Sequence, residues 1–189
     1  MKLTEKTLNE KYAYKGRIIN LRVDTVELPD KHTSTREIVE HNGGIGIIPV
    51  DDEGNTYIVE QWRSPYKKVL FEIPAGKRDG DEDTLLGGKR ELKEEIGATA
   101  KEWIDLGELY PSPGYCGEII HLYLARGLEF SEQDLDEGEF LNVHKISLDE
   151  LVEKIMNNEI GDAKTMVAAL KAQKYLSKNG FDKHCVKIS

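Results

Sequence analysis

Positive charge is what this 189-residue chain has least reason to be chosen for. Lys and Arg number 26 against 35 Asp and Glu, a formal net charge of −9. Nonspecific nucleic-acid binding and docking on anionic membranes both draw on basic patches, so neither partner is expected. Cysteine is scarce too. Cys116 and Cys185 are the only two, too few for a disulfide framework or a cysteine metal site. The tail DKHC, residues 182–185, offers at most two ligands and reads as a frayed terminus. The first sixteen residues, MKLTEKTLNEKYAYKG, lack an apolar signal core, and no apolar run approaches the ~18 residues of a membrane helix. A cytoplasmic protein is the expectation. Repeats, low-complexity tracts, Pro/Ser-rich linkers and a DxDxDG calcium loop are all missing. An acidic protein acting on an anion needs something else to neutralise it, and a metal ion is the obvious candidate.

What is present is enough for one domain, or one domain with a small appended piece: 39% hydrophobic and 32% charged residues, ordinary for a globular chain. Residues 12–42 read as extended. RIINLRVDTVEL alternates, PDKHTS carries turn chemistry, and TREIVEH resumes the pattern. An antiparallel hairpin of about 30 residues is too small for its own core and should pack on the main body or on a partner subunit. After Gly43 and Gly44, IGIIPV, TYIVEQW and VLFEIPAG read as strands, the last ended by Pro74 and Gly76. Residues 82–96 read as a helix with Leu85, Leu92 and Ile96 on one face, stopped by Gly97. KEWIDLGELYP and EIIHLYLARGL are further strands around SPGYCG, followed by the acidic loop SEQDLDEGE and the strand FLNVHKI. SLDELVEKIMNN opens with a capping box, and a last helix over about 162–178 should end at Gly180. Strands with a few interspersed helices place the chain in the α/β or α+β class.

The stretch GKRDGDEDTLLGGKRELKEEIGA carries the chemistry. On a helix Glu91 and Glu95 are an i, i+4 pair and Glu94 is i+3 from Glu91, so three carboxylates share one patch. Arg90, four before Glu94, can pair with it. A solvated face would mix signs at this spacing, and Glu91 with Glu95 does not. Hard divalent cations take several oxygen ligands, and carboxylates that share one offset their mutual repulsion.

This stretch resembles the Nudix box, G-x5-E-x7-R-E-U-x-E-E-x-G-U with U a bulky aliphatic. Gly76, Glu82, Arg90, Glu91, Leu92, Glu94, Glu95 and Gly97 match at the family's spacing, and Ala98 departs from it by being small. The resemblance implies an α/β/α sandwich with a mixed sheet, and hydrolysis of nucleoside diphosphates linked to another moiety. It implies Mg²⁺ or Mn²⁺, two to three per site, held by Glu91 and Glu95 with Glu94 assisting. Arg90 would orient the carboxylates and Glu82 would support them from behind. Gly87 and Gly88 each cost the helix ~1 kcal/mol relative to alanine, and close packing on a neighbouring strand is one reason to keep them.

The flanks resemble the ADP-ribose pyrophosphatase branch. FEIPAGK leads into the box, placing Glu72 with the substrate-binding residues and giving the Ala75 carbonyl as a metal ligand. Pro113, sixteen residues after Gly97, lies in SPGYCGE, which resembles that branch's SPG-x3-E loop. Pro113 and Gly114 would then line the substrate, and Glu118 would bind substrate or back the metal. TREIVEH and VEQWRSP resemble its two arginine segments, with Arg36 against adenine or ribose and Arg63 on the diphosphate, tasks suited to a planar guanidinium. The branch's N-terminal hairpin crosses between subunits. Residues 1–42 would therefore be a swapped, dimer-forming β subdomain and 43–189 the hydrolase domain, in a homodimer with a shared site. In the acidic loop the resemblance gives Glu137 as general base and Glu139 as a further metal ligand, with Asp136 or Glu139 open as alternatives for the base. The expected reaction is cleavage of ADP-ribose to AMP and ribose 5-phosphate. Hydrolysis of GDP-mannose, ADP-glucose or a dinucleotide is the rival on the same fold, and a non-cleaving ADP-ribose sensor the rival from another class.

Overall fold

A computed structural model describes residues 3–179; the expected end of the last helix at Gly180 and the DKHC tail lie outside them. The chain divides into two compact units, the first formed by Met1–Gly43 with Tyr110–Ile119 and the second by the remainder.

In the first unit, strands β1 (Lys6–Lys15), β2 (Asn20–Glu27) and β3 (Thr33–Glu40) form an antiparallel sheet in that order. The expected hairpin is β2–β3, and β1 is a third strand beyond it. Every residue of β1 is exposed, including Leu8, Tyr12 and Tyr14. Arg22 ties the sheet together through Asp24 at 2.8 Å and Glu40 at 2.7 Å. The segment around Cys116 adds to the far edge: Val39 N–H donates to the Tyr115 carbonyl at 2.8 Å, and Gly117 N–H to the Val39 carbonyl at 2.9 Å.

The second unit is layered. Strands β4 (Gly44–Pro49), β7 (Ala75–Lys77), β8 (Ala98–Leu109) and β9 (Ile120–Phe130) form a mixed sheet in the order β7-β4-β9-β8, with β4 and β9 parallel and the other pairs antiparallel. β5 (Asn55–Arg63), β6 (Lys68–Glu72) and β10 (Leu141–Ser147) form an antiparallel sheet in the order β10-β5-β6. VLFEIPAG is thus two strands, with Ile73 and Pro74 between them. A strand with both faces covered reads as an unbroken apolar run, and GIGIIP is wholly buried. Ile45 and Ile47 point into one core, shared with Leu92 and Ile96 of helix α1 (Thr84–Ile96). Ile48 and Val50 point into the other, shared with α2 (Leu148–Met156) and α3 (Ala163–Asn179). The result is the expected helix, sheet, helix sandwich.

Local chemistry sets the helix ends. Asp83 caps α1 by accepting from Leu85 N–H and Leu86 N–H, so the helix starts two residues after the expected Glu82. Gly97 closes it at φ 65°, the left-handed conformation glycine takes without strain, and the chain turns straight into β8. Ser147 caps α2 through Glu150 N–H. Among the described residues no helix is long and apolar enough to cross a membrane.

Candidate active site

The carboxylate helix is packed too tightly to be a solvated face. A methyl group on Gly87 would stand 2.5 Å from Ile45 Cδ1, and one on Gly88 would stand 3.3 Å from Ile45 Cγ2. These two glycines bring α1 down onto β4, which is what the chain gains for their conformational cost. The approach buries Glu91 and Glu95, 8% and 2% exposed. Gly76 completes the fit from β7, since a Cβ there would lie 1.8 Å from Glu91 Oε1, inside the carboxylate itself.

Burial is expensive for these acids. It pushes the Glu91 carboxyl up to about 7 against the pull of Arg90, with Glu94 and Glu139 adding repulsion. It pushes Glu95 up to about 8, against a hydrogen bond from Ala75 N–H at 2.9 Å, with Glu91 and Glu139 again repelling. The helix adds to the cost, because both acids sit in its last two turns, at the negative end of the macrodipole.

Arg90 serves the carboxylates as a group. It lies 2.7 Å from Glu94, 2.8 Å from Glu91 and 3.3 Å from Glu82. Burial opposes its charge, but these three acids raise its pKa well above the ordinary value. Arg78 in turn donates to the Glu82 carbonyl at 2.6 Å, fixing the loop before the helix.

The acidic loop 131–139 is fastened to the same helix. Ser131 N–H donates to the Gly97 carbonyl at 2.6 Å, Asp134 N–H to the Glu94 carbonyl at 3.1 Å, and the Gln133 side chain to the Glu95 carbonyl. At its other end Gln61 donates to Glu139 at 3.2 Å. Asp136 and Glu137 lie between these anchors, both exposed, in a turn that Gly138 completes at φ 86°. Gln61 and Gln133 were not expected from the sequence. A lone glutamine carries no spacing signal, and only the fold brings these two to the site.

Arg63 and Glu72 form a bidentate pair, Nε to Oε1 at 2.6 Å and Nη2 to Oε2 at 2.7 Å. Glu72 is 2% exposed, with both of its oxygens held by Arg63. Burial drives its carboxyl up, but Arg63 and Lys164 outweigh that and hold it below the usual range. Arg63 is raised, chiefly by its bond to Glu72.

The second unit therefore holds Arg63, Glu72, Ala75, Glu91, Glu94, Glu95, Glu137 and Glu139, and the first holds Arg36, Pro113, Gly114 and Glu118. Arg36 is engaged by Glu5 at 3.0 and 2.5 Å and by the Thr35 carbonyl. Pro113 and Gly114 form an exposed turn over Ser112, whose carbonyl accepts from Cys116 N–H at 3.0 Å. Glu118 lies 3.5 Å from His41 Nδ1, an atom that itself accepts from Gly43 N–H.

Among the described residues no three His, Cys, Asp or Glu side chains are already drawn into a coordination sphere. The donor set is nevertheless chemically suited to a hard divalent cation. It is all oxygen, it is buried, and its acids resist ionising side by side until a positive charge joins them.

Similarity to known proteins agrees with this chemistry. Residues 40–168 match the NUDIX domain model, and residues 5–39 match that of the nucleoside diphosphate sugar hydrolase N-terminal domain. A Bacillus subtilis protein named ADP-ribose pyrophosphatase is 40% identical over 182 residues, covering 91% of this chain and 98% of its own. A Bacillus methanolicus protein named methanol dehydrogenase activator is 42% identical over 166 residues, 87% of this chain and 90% of its own. A solved structure described as an ADP compounds hydrolase superposes with TM-score 0.84 at 19% identity, over 96% of this chain and 99% of that one, which establishes a shared fold. Since the NUDIX match spans most of the chain and contains the helix just described, this protein belongs to the Nudix family.

Proposed function

We propose that this protein hydrolyses the diphosphate of ADP-ribose, giving AMP and ribose 5-phosphate, with Mg²⁺ or Mn²⁺ as cofactor, two to three per site. The observation that carries the reading is the pair Glu91 and Glu95, 8% and 2% exposed, one turn apart on α1. Glu91, Glu95 and the Ala75 carbonyl would hold the metal, with Glu139 as a further ligand. When bound, the cations neutralise diphosphate oxygens and lower the pKa of a water. The protein's own groups do the rest. Ala75 N–H fixes one oxygen of Glu95, Arg90 keeps Glu91 and Glu94 in place, and Arg63 binds a diphosphate oxygen. Glu137, exposed between the two loop anchors, takes the proton of the attacking water; Asp136 and Glu139 are its alternatives. The water oxygen bonds to one phosphorus, and the bridging oxygen leaves with the other phosphate. Positioning and charge neutralisation dominate such transfers.

The choice of ADP-ribose is supported by the Bacillus subtilis relative, similar along nearly its whole length. Arg36, Pro113, Gly114 and Glu118 would bind the nucleoside portion. Residues 1–42 would form the contact of a cytoplasmic homodimer, a use that the fully exposed strand β1 with Leu8, Tyr12 and Tyr14 supports. Chromatographic analysis of ADP-ribose, GDP-mannose, ADP-glucose, diadenosine polyphosphates and NADH incubated with protein and Mg²⁺ tests the assignment. ADP-ribose should lead and yield AMP. If another compound leads, the substrate reading falls and the hydrolase stands; binding of ADP-ribose without cleavage would identify a sensor.

The Bacillus methanolicus relative favours a second reading, in which the chain acts on the activity of a partner dehydrogenase. Stimulation of a methanol dehydrogenase by the wild-type chain would support it.

A further inference from the structure

One half-buried cation has appeared so far only as a partner of Glu72. Lys164, in the first turn of α3, is 12% exposed. Its ammonium donates to Glu72 Oε2 and, at 3.1 Å, to Asp162 Oδ1. Glu72 is the carboxylate that grips Arg63 with both oxygens. The groups form a chain: Asp162, Lys164, Glu72, Arg63. Its outer end is braced by the helix, because Asp162 Oδ2 accepts from Thr165 N–H at 3.0 Å and from Thr165 Oγ1 at 2.6 Å. The same Thr165 hydroxyl accepts from Ile73 N–H at 2.8 Å, pinning α3 to the residue that follows Glu72.

One bidentate arginine already balances the charge of a buried carboxylate and reaches both its oxygens, so the second cation needs a reason. The four groups balance, two cations against two carboxylates, and the N-terminus of α3 further favours Asp162. Arg63 spends Nε and Nη2 on Glu72, leaving the Nη1 N–H groups of a side chain that is 37% exposed. Arg63 and Lys164 both interact electrostatically with Glu95. Arg63, with its Nη1 N–H groups unspent, therefore lies beside the carboxylate helix, where an anionic group would be received.

We propose that Lys164 is a positioning residue for the diphosphate: it locks Glu72, and Glu72 holds Arg63 in the one orientation that presents its remaining N–H groups to a phosphate oxygen. The inference rests on the diphosphatase reading above. Its measurement is steady-state kinetics of Lys164→Met and Lys164→Arg with Mg²⁺, together with the Arg63 side-chain Nε–Hε signal in ¹H–¹⁵N NMR, assigned with Arg63→Lys. Lys164→Met should raise KM for ADP-ribose about tenfold and change kcat much less, within the range usual for groups that support a binding residue. The Arg63 signal should broaden or vanish, and Lys164→Arg should restore both. If Lys164→Met does not fold, Asp162→Asn serves in its place, keeping a helix cap while weakening the hold on Lys164; the KM shift should be smaller and in the same direction. An unchanged KM with a broadened Arg63 signal overturns the substrate role, and an unchanged Arg63 signal overturns the locking. Should the wild-type protein cleave nothing in the panel, the diphosphatase reading fails, and the locking is judged by the NMR signal alone.

Discussion

Two stretches of this chain are rich in acid, the Glu91–Glu95 turn of α1 and the loop 131–139, and the fold treats them oppositely. Glu91 and Glu95 are buried under β4 and β7, next to each other, at the unfavourable end of a helix. Asp136 and Glu137 stand in water in a turn. A buried acid is costly to ionise and rewards a cation; an exposed one in a turn carries no such cost. Composition makes the two stretches look alike, and environment divides the labour between them.

The division can be broken most severely at Glu95. Glu95→Gln should lower kcat/KM roughly 10³-fold by weakening metal binding, while the metal-free protein becomes more heat-stable near pH 8 because a strained charge is gone. Calorimetric Mn²⁺ titration and thermal melts check both halves. Glu137→Gln should cost about 10²-fold in kcat and leave metal affinity intact, as expected for loss of a general base. Equal loss of metal binding in the two variants would erase the distinction. A pH series sharpens it further. Glu91 and Glu95 have folded-state pKa values above the 4.5 of a free carboxyl, so their cost is absent below that value and fully present above about 8. The metal-free melting temperature should therefore fall as pH rises through this window, and added Mg²⁺ should raise it more at about pH 8 than at about pH 5. The smallest effects belong to the two glycines, Gly87→Ala the larger. Crowding against Ile45 outweighs the gain in helix propensity, for a net loss of about 1 kcal/mol by denaturant titration. Gly88→Ala should be close to neutral.

Much of this was legible in the residues. IGIIPV announced a strand, and the spacing of Glu91, Glu94 and Glu95 announced a shared patch. Strand β1 was not legible, because its ten exposed residues carry no burial signal and irregular register at Thr7/Asn9 and Tyr12/Tyr14 breaks its alternation. Glu72 was expected at the substrate, but its depth was invisible: only the side chains reaching it from β5 and α3 show that Arg63 and Lys164 share it. Lys164 lies 92 residues from Glu72, and nothing in GDAKT marks a lysine as buried. Close packing on a strand was an expected reason for Gly87 and Gly88, but that the strand is β4 had to wait for the fold.

Strand β4 leaves one further mark on the second unit. Its alternate residues belong to two cores, Ile45 and Ile47 to the one under α1 and Ile48, with Val50 just past the strand's end, to the one under α3. It works as a party wall, and neither room can be opened without stripping a face of the partition. The unit has no economical half-folded form in which the carboxylate helix survives while α3 detaches. Heat or denaturant should therefore extinguish the metal site and the far helix together, so that remaining activity reports directly on the fraction of molecules still whole.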